Sequence, residues 1–426
     1  MVFISGLHSA VFGIHTVILI FAFFLFVNFK TRFIGIRKSV SAVKALFCTD
    51  KNNGNSPLKA ICISLCATVG TGNIVGVAGA VALGGAGAVF WMWVSGILAL
   101  SVKFSEIYLS SLYKNNGGAF SYIYSAFPLK QLKTVFLTFG LFTALGIGNL
   151  TQTNAAAGAV AYLFVLPQRY ISAVKIILGI VFCAFCLVFL WREYKAIKFC
   201  EAVLPLMAAG YVILCVCALF KMRAVLPSVF AKIAEGAFCP RAVTGGAIGS
   251  AVYAVKSGLA RGIFSNEAGL STGTLAYEKS EGSAVYLSLF GIAEVIVDTL
   301  VLCTLTALVV ISSKNTVYGK DLGVFTTLSA FSDILGKGAV YIFCVMVCFF
   351  AFSSVIGWGI YARRFAISLK IPIFLTVTLY SSACIWGAVF SAEAVWKIAE
   401  IVSVLMMTVN CSAIIYHRKE LSGIFF

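Results

Sequence analysis

Residues 59–85 read KAICISLCATVGTGNIVGVAGAVALGG. The stretch is long and apolar enough to cross a bilayer, which takes about 20 residues of helix. Its middle, Thr68-Val69-Gly70-Thr71-Gly72-Asn73, is nevertheless poor helix material. Glycine costs about 1 kcal/mol in a helix relative to alanine. Thr and Asn side chains compete for backbone groups and favour caps and turns. Together these residues predict an unwound segment halfway through the membrane. Bare backbone is expensive in lipid, so such a segment survives only where it lines a cavity.

A second stretch has the same character. Residues 245–272 read GGAIGSAVYAVKSGLARGIFSNEAGLST, with polar Ser265-Asn266-Glu267 flanked by Gly262 and Gly269. Counted along the chain, the two interrupted stretches are the second and seventh apolar segments. That spacing predicts an inverted repeat of five plus five helices, with a binding site near the midplane where the repeats meet. Broken helices supply the chemistry. The second half-helix offers free N–H groups and a positive dipole end to a carboxylate. The first half-helix offers free C=O groups to a cation or an ammonium. Gly72 and Gly76 alone fit close helix packing equally well. Adding Thr68, Thr71 and Asn73, matched by SNE in the other half, points to a site.

The rest of the 426-residue chain fits this setting. It is 61% hydrophobic and only 11% charged, with a mean hydropathy of +1.01. Soluble domains are about 25% charged, so a soluble enzyme, a disordered chain and a nucleic-acid-binding module are excluded. Eleven segments are candidate spans: 10–29, 58–83, 86–112, 134–165, 171–191, 198–220, 244–275, 283–312, 338–366, 371–390 and 393–416. No Lys or Arg precedes the first, which therefore reads as a genuine span and not as a cleaved signal. The net charge of +17 reports orientation. One set of connections carries nearly twice the Lys and Arg of the other. It includes Lys30, Arg32, Arg37, Lys38, Lys44, Lys51 and Lys59 in a single loop. The basic side is cytoplasmic, which predicts the N-terminus outside and the C-terminus inside, in a bacterial inner membrane.

Most of the 14 cysteines lie inside apolar runs. Cys183 and Cys186 have the spacing of a metal or redox pair, but with no second pair and no nearby histidine they read as small packing residues. Three histidines, His8, His15 and His417, are too few for a histidine-based metal site or triad. Residues 226–238 and 322–336 read as amphipathic helices on the outer side, either interfacial anchors or lids. Trp91 and Trp93 suit an interfacial aromatic belt.

At this point the motifs resemble a family. GTGNIVGVAGAVALGGAGAVFWMWVSGILALSVKFSE at 70–106 is similar to the signature of the alanine or glycine:cation symporters, also called sodium:alanine symporters. GIGNLTQTNAAAG at 146–158, RGIFSNEAGL at 261–270, IVDTLVLCTLTALV at 296–309 and FSSVIGWGIYA at 352–362 follow in the same order. The resemblance implies an all-α integral membrane protein of the leucine-transporter type, with one extra N-terminal helix. Residues 1–57 would form that helix and a basic cytoplasmic loop. Residues 58–220 and 244–416 would be the two repeats, joined outside by 221–243, and 417–426 a cytoplasmic tail.

The implied activity is sodium-driven uptake of a small neutral amino acid, alanine or glycine, with Na+ as coupling ion and no cofactor. The partners implied are that substrate and the bilayer. The resemblance places the substrate carboxylate on the backbone of Gly70, Thr71, Gly72 and Asn73, beside Thr68. It places the ammonium at Phe264, Ser265 and Asn266. Asn149, Gln152 and Asn154 match the family's polar face beside the site, and Trp358 would cap the side-chain pocket. Sodium would lie between carbonyls of Cys66 and Val69 and the hydroxyls of Ser353 and Ser354, although serine back-bonding within the helix is an equal reading for these two. STGTLAYEKSEG after NEAGL and GIYARRF after GW depart from the family pattern on the cytoplasmic side.

Lys103, Glu106, Lys256, Arg261, Glu267, Glu294 and Asp298 fall within or near spans, where each charge needs a partner or a water path. Lys103 and Glu106 are spaced to pair on one helix face. Glu294 and Asp298, four apart, either share a proton or pair with Lys256 or Arg261. Proton coupling or a changed substrate is therefore the alternative function. A membrane enzyme is disfavoured because HExxH, GxSxG and a paired His/Asp set are all missing from the sequence. A channel is disfavoured because no filter loop repeats.

Overall fold

Apolar runs become helices here because backbone groups have no water to bond in lipid. The computed structural model describes residues 2–11, 13–48, 56–113, 118–127, 130–164, 167–238, 247–320 and 323–424. No strand occurs among them. Lys51, Lys114 and Arg241 of the charge pattern lie outside the described residues.

The chain opens with α1 (Val2–Val11) and α2 (Ile14–Lys30), followed by short α3 (Ile34–Arg37) and α4 (Ser39–Cys48). Helix α5 (Pro57–Thr68) begins at an N-cap, Ser56, whose hydroxyl accepts from the Leu58 N–H, with Pro57 in the first turn. Proline suits that position because its missing donor would have been unsatisfied anyway. Helix α6 (Gly72–Gly84) continues the same apolar stretch after a 53° bend. Then come α7 (Gly87–Tyr113), α8 (Ser121–Ala126), α9 (Gln131–Tyr162), α10 (Gln168–Leu190) and α11 (Glu193–Lys221). The amphipathic α12 (Leu226–Phe238) precedes α13 (Ala247–Asn266).

After α13 come α14 (Thr274–Tyr277), α15 (Ala284–Ser312), α16 (Val324–Leu335), α17 (Lys337–Ser368), α18 (Ile373–Val389), α19 (Ala392–Tyr416) and α20 (Arg418–Ser422). Among the described residues, seven helices are each long and apolar enough to cross a bilayer, or eight if the bent pair α5 and α6 is one span. Helices α2 and α18, at 17 residues each, stand at the short end of the spanning range. Helix α13 carries Lys256 and Arg261 and does not reach the hydropathy of the others.

Both interrupted stretches are broken. The second break begins at the last residue of SNE. Asn266 still ends α13, and the chain turns through Glu267 (φ 54°), Gly269 (φ 96°) and Ser271 (φ 62°) before α14. Left-handed conformations at the non-glycine residues Glu267 and Ser271 cost on the order of 1–3 kcal/mol each, and such strain clusters at functional sites.

Among the described residues, three helices also widen into π turns: Gly72–Gly76 in α6, Gly146–Leu150 in α9 and Ile296–Cys303 in α15. Such wide turns are uncommon and gather at functional sites. Small residues bring the helices together. A Cβ on Gly357 of α17 would lie 2.6 Å from the backbone N of Ala67 in α5, and one on Gly87 would lie 2.1 Å from the carbonyl O of Gly236 in α12.

The two tryptophans read as belt residues are half-buried, and each bonds to a neighbouring helix. Trp91 Nε1 donates to the Ala237 carbonyl and Trp93 Nε1 donates to Thr304 Oγ1 (2.8 Å). The described cysteines are free, and Cys186 Sγ lies 3.9 Å from Cys384 Sγ of α18.

Candidate functional site

The first break leaves backbone donors without helical partners, and buried donors need acceptors. Gln152, two residues beyond the π segment of α9, supplies one. Its Oε1 accepts from both the N–H and the hydroxyl of Thr71, each at 2.8 Å. The Gln152 amide is in turn held by donating to the Ile147 carbonyl. Asn73 Oδ1 accepts weakly from the Gly70 N–H (3.4 Å), while its Nδ2 reaches across to Asp298 Oδ1 (2.6 Å). Thr71, Asn73, Gln152 and Asp298 are all buried.

Asp298 ties the first break to α13. Its second oxygen accepts from Ser265 Oγ (2.7 Å) and Thr299 Oγ1 (2.8 Å). Asn266 Nδ2 donates to the Gly262 carbonyl and to Thr299 Oγ1, and its Oδ1 accepts from the Ala268 N–H. Thus Asn73 from one broken stretch and Ser265 from the other converge on a single carboxylate. Phe264 is buried beside them. Arg261, one turn earlier in α13, lies flat against α6. A Cβ on Gly72 would come within 2.6 Å of its Nη2, and one on Gly76 within 1.9 Å of its Nη1. A side chain at either position would require the guanidinium to shift.

The second break is wrapped by charge. Glu106 Oε1 of α7 accepts from the N–H groups of Gly269 (2.9 Å) and Ser271 (2.8 Å), and from Asn410 Nδ2 (2.7 Å) of α19. Asn410 Nδ2 also donates to the Gly269 carbonyl, and the Tyr122 hydroxyl sits against Asn410 Oδ1 and Ser271 Oγ. Lys103 Nζ donates to the Asn266 carbonyl (3.2 Å) and pairs with Glu294 of α15 (3.4 Å). The Tyr277 hydroxyl donates to the same Glu294. Glu267 accepts from Thr272 Oγ1.

These contacts settle the charge pairings differently from the spacing argument. Lys103 pairs with Glu294 across helices, and Glu106 caps broken backbone. Glu294 and Asp298 do not share a proton site, because each carboxylate has its own set of donors.

Other sequence-selected residues are dispersed. Ser354 Oγ crosses from α17 to the Ala67 carbonyl (2.8 Å), at the end of α5 and near Gly70, beside buried Val69. Ser353 bonds back to the Phe350 carbonyl and faces Met207 Sδ, and the Cys66 thiol faces the Cys200 carbonyl. Thr68 back-bonds to Ser64. Asn149 donates to the Tyr380 carbonyl, and Asn154 to the carbonyls of Gly387 and Phe390 at the end of α18, away from the break. Trp358 is fully buried, its Cγ where a Cβ on Gly148 would fall at 2.3 Å. Asn410, Tyr122 and Tyr277 were not singled out by sequence, since each is an ordinary polar residue far along the chain from the break it supports.

The two segments that depart from the family pattern meet each other. Arg364 pairs with Glu193 of α11 (2.9 Å) and donates to the Leu275 carbonyl in α14, while Arg363 donates to the Leu190 carbonyl. Helix α16 covers the first break from the other side, with Thr327 Oγ1 donating to the Ile74 carbonyl (3.3 Å).

Comparison with known proteins gives the same picture. Residues 1–423 match the sodium:alanine symporter family. The chain belongs to that family. It is 34% identical to an uncharacterized transporter of Haemophilus influenzae, over 98% of this chain and 93% of the relative. It is 31% identical to the sodium/alanine symporter AgcS of Methanococcus maripaludis, over 96% and 92% respectively. A probable sodium/glutamine symporter, GlnT of Bacillus subtilis, is 29% identical over 95% and 85%. Family members are membrane transporters and not enzymes.

Proposed function

We propose that this family member imports a small neutral amino acid, alanine or glycine, together with sodium, by alternating access around the two broken helices. In this reading eleven helices cross the inner membrane. The short α2 and α18 and the polar α13 count as crossings, the N-terminus is outside and the C-terminus inside. Residues 58–220 and 244–416 are the inverted repeats.

The observation that supports this best is the Thr71–Gln152 contact. An amide oxygen accepts from a backbone N–H and a hydroxyl at the start of a half-helix, where a carboxylate oxygen would be received equally well. Gln152 holds that place until substrate arrives. Gly70, Gly72 and Asn73 complete the anion cradle, and Ser265, Asn266 and the carbonyls near Phe264 take the ammonium. Sodium sits at the end of α5, on carbonyls of Cys66 and Val69 with Ser354 and Ser353. A hard cation takes such oxygen ligands. Trp358 limits the size of the side chain. The test is uptake into proteoliposomes across a panel of amino acids, with sodium replaced by choline. Alanine or glycine uptake that vanishes without sodium is the expected result; uptake of neither overturns the substrate assignment.

A second reading rests on the second break. Three buried carboxylates, Glu106, Glu267 and Glu294, surround the one ammonium of Lys103. Such an excess of buried carboxyl groups suits proton uptake. Sodium-independent transport that follows an imposed pH gradient would favour it.

Trp358→Ala is expected to admit larger side chains, seen as competition by valine or leucine that the parent protein resists. The cavity also costs about 3–5 kcal/mol, so Trp358→Phe is the control for lost packing. Selectivity unchanged in Trp358→Ala would remove Trp358 from the pocket.

A further inference from the structure

Among the described residues, nothing covers one face of helix α4. Ala42 and Ala45 are buried where it packs on α15, but Val40 is 66% exposed and Phe47 83% exposed. Between α4, α7 and the π segment of α15 lies an open, apolar crevice of about 720 Å³. Val40, Val43, Ile97, Ile296 and Leu300 line it, and Lys44 and Ser39 stand at its rim. Pockets of this size hold drug-sized ligands. The exposed charged residues described from the end of α2 through α4 are all basic. Arg32, Arg37 and Lys44 are exposed on the same short stretch, and Lys30 ends α2 next to it.

We propose that this crevice is a binding site for an anionic phospholipid. One acyl chain lies against Val40, Val43, Ile97 and Leu300, and the phosphate meets the Lys44 ammonium. Charge complementarity selects the occupant. A zwitterionic lipid would fill the apolar part equally well but would gain little from the cationic rim, whereas an anionic headgroup gains from every lysine near the surface. The location gives the site a consequence. Ile296 and Leu300 belong to the same π segment as Asp298, whose carboxylate holds Asn73 and Ser265 on the opposite side. A lipid in the crevice packs behind the segment that joins the two broken helices, and so stabilises it. This inference goes beyond the transport reading and does not depend on which solute is carried.

The experiment uses the full chain in detergent, with phosphatidylglycerol and phosphatidylcholine of identical acyl chains. Native mass spectrometry reads retained lipid, and thermal unfolding reads stabilisation. The expected result is preferential retention of phosphatidylglycerol with a higher melting temperature. Lys44→Gln should weaken phosphatidylglycerol binding about fivefold and leave phosphatidylcholine unchanged. Val43→Trp, at a position already 38% exposed and so tolerant of bulk, should remove retention of both. Equal retention of the two lipids by the parent protein overturns the proposal. So does wild-type retention by Val43→Trp, or a dimer in the parent protein that this variant dissociates, since a second copy would then cover the face.

Discussion

Gly72→Leu is expected to reduce uptake to background while the protein remains inserted and folded. The residue stands at the first turn after the bend, where the proposed cradle presents its N–H groups. A side chain added here has nowhere neutral to go. Its Cβ alone would come within 2.6 Å of Arg261 Nη2. That atom is the end of a flexible side chain, so Gly72→Ala should be accommodated by a small shift and keep part of the activity. Leucine cannot be accommodated this way. It displaces the guanidinium from the face of α6 and fills the space beside Thr71. Thermal unfolding of the purified variant, run beside proteoliposome uptake, separates loss of the site from loss of the fold. Normal transport by Gly72→Leu would place the substrate elsewhere. If Gly72→Ala is as inactive as leucine, the position of Arg261 matters more than the free space.

The same residue shows what was legible in the sequence. Gly70, Thr71, Gly72 and Asn73 announce a break because four poor helix formers stand together in an otherwise apolar run. The second break was legible only approximately. Ser265 and Asn266 remain helical because their side chains find acceptors inside the bundle, and the turn is taken by Glu267, Gly269 and Ser271. The partners were mostly illegible. Gln152 could be picked out through the GIGNLTQTN block, but its bond to Thr71 spans 81 residues of sequence. Glu106 stood out as a charge within a span, but nothing local to it or to Asn410 pointed to the second break, which they meet from α7 and α19. The π turn at 296–303 is hidden for another reason. Its residues are apolar apart from Asp298 and Thr299, and ordinary periodicity does not distinguish it from the helix on either side. Charge spacing misled for a related reason. Proximity on one helix face allows a Lys103–Glu106 pair, but tertiary partners compete, and broken backbone N–H groups are the better use of a buried carboxylate.

Lys103→Met is expected to be the most damaging single substitution for stability. Removing one partner from a buried ion pair costs about 3–5 kcal/mol, because the other charge is left without compensation. Whole domains are stable by only about 5–15 kcal/mol. Here the loss is wider than one pair. Lys103 is 1% exposed, is paired with Glu294, and also holds the Asn266 carbonyl at the end of α13. Without it, Glu294 keeps the Tyr277 hydroxyl and Glu106 keeps its backbone donors, but the ammonium is gone from between three carboxylates. The measurement is the melting temperature in detergent and the yield in membranes, both expected to fall steeply. Adding Glu294→Leu should restore part of the loss, since an apolar pair of similar volume replaces a buried ion pair at little cost. That cycle also separates structure from coupling. If the double variant folds and still transports with sodium, the Lys103–Glu294 pair is a strut. If it folds but loses transport that Glu294→Gln alone also loses, the carboxylate takes part in carrying the ion. A stable, fully expressed Lys103→Met would mean that the cluster at the second break is already neutral without its lysine.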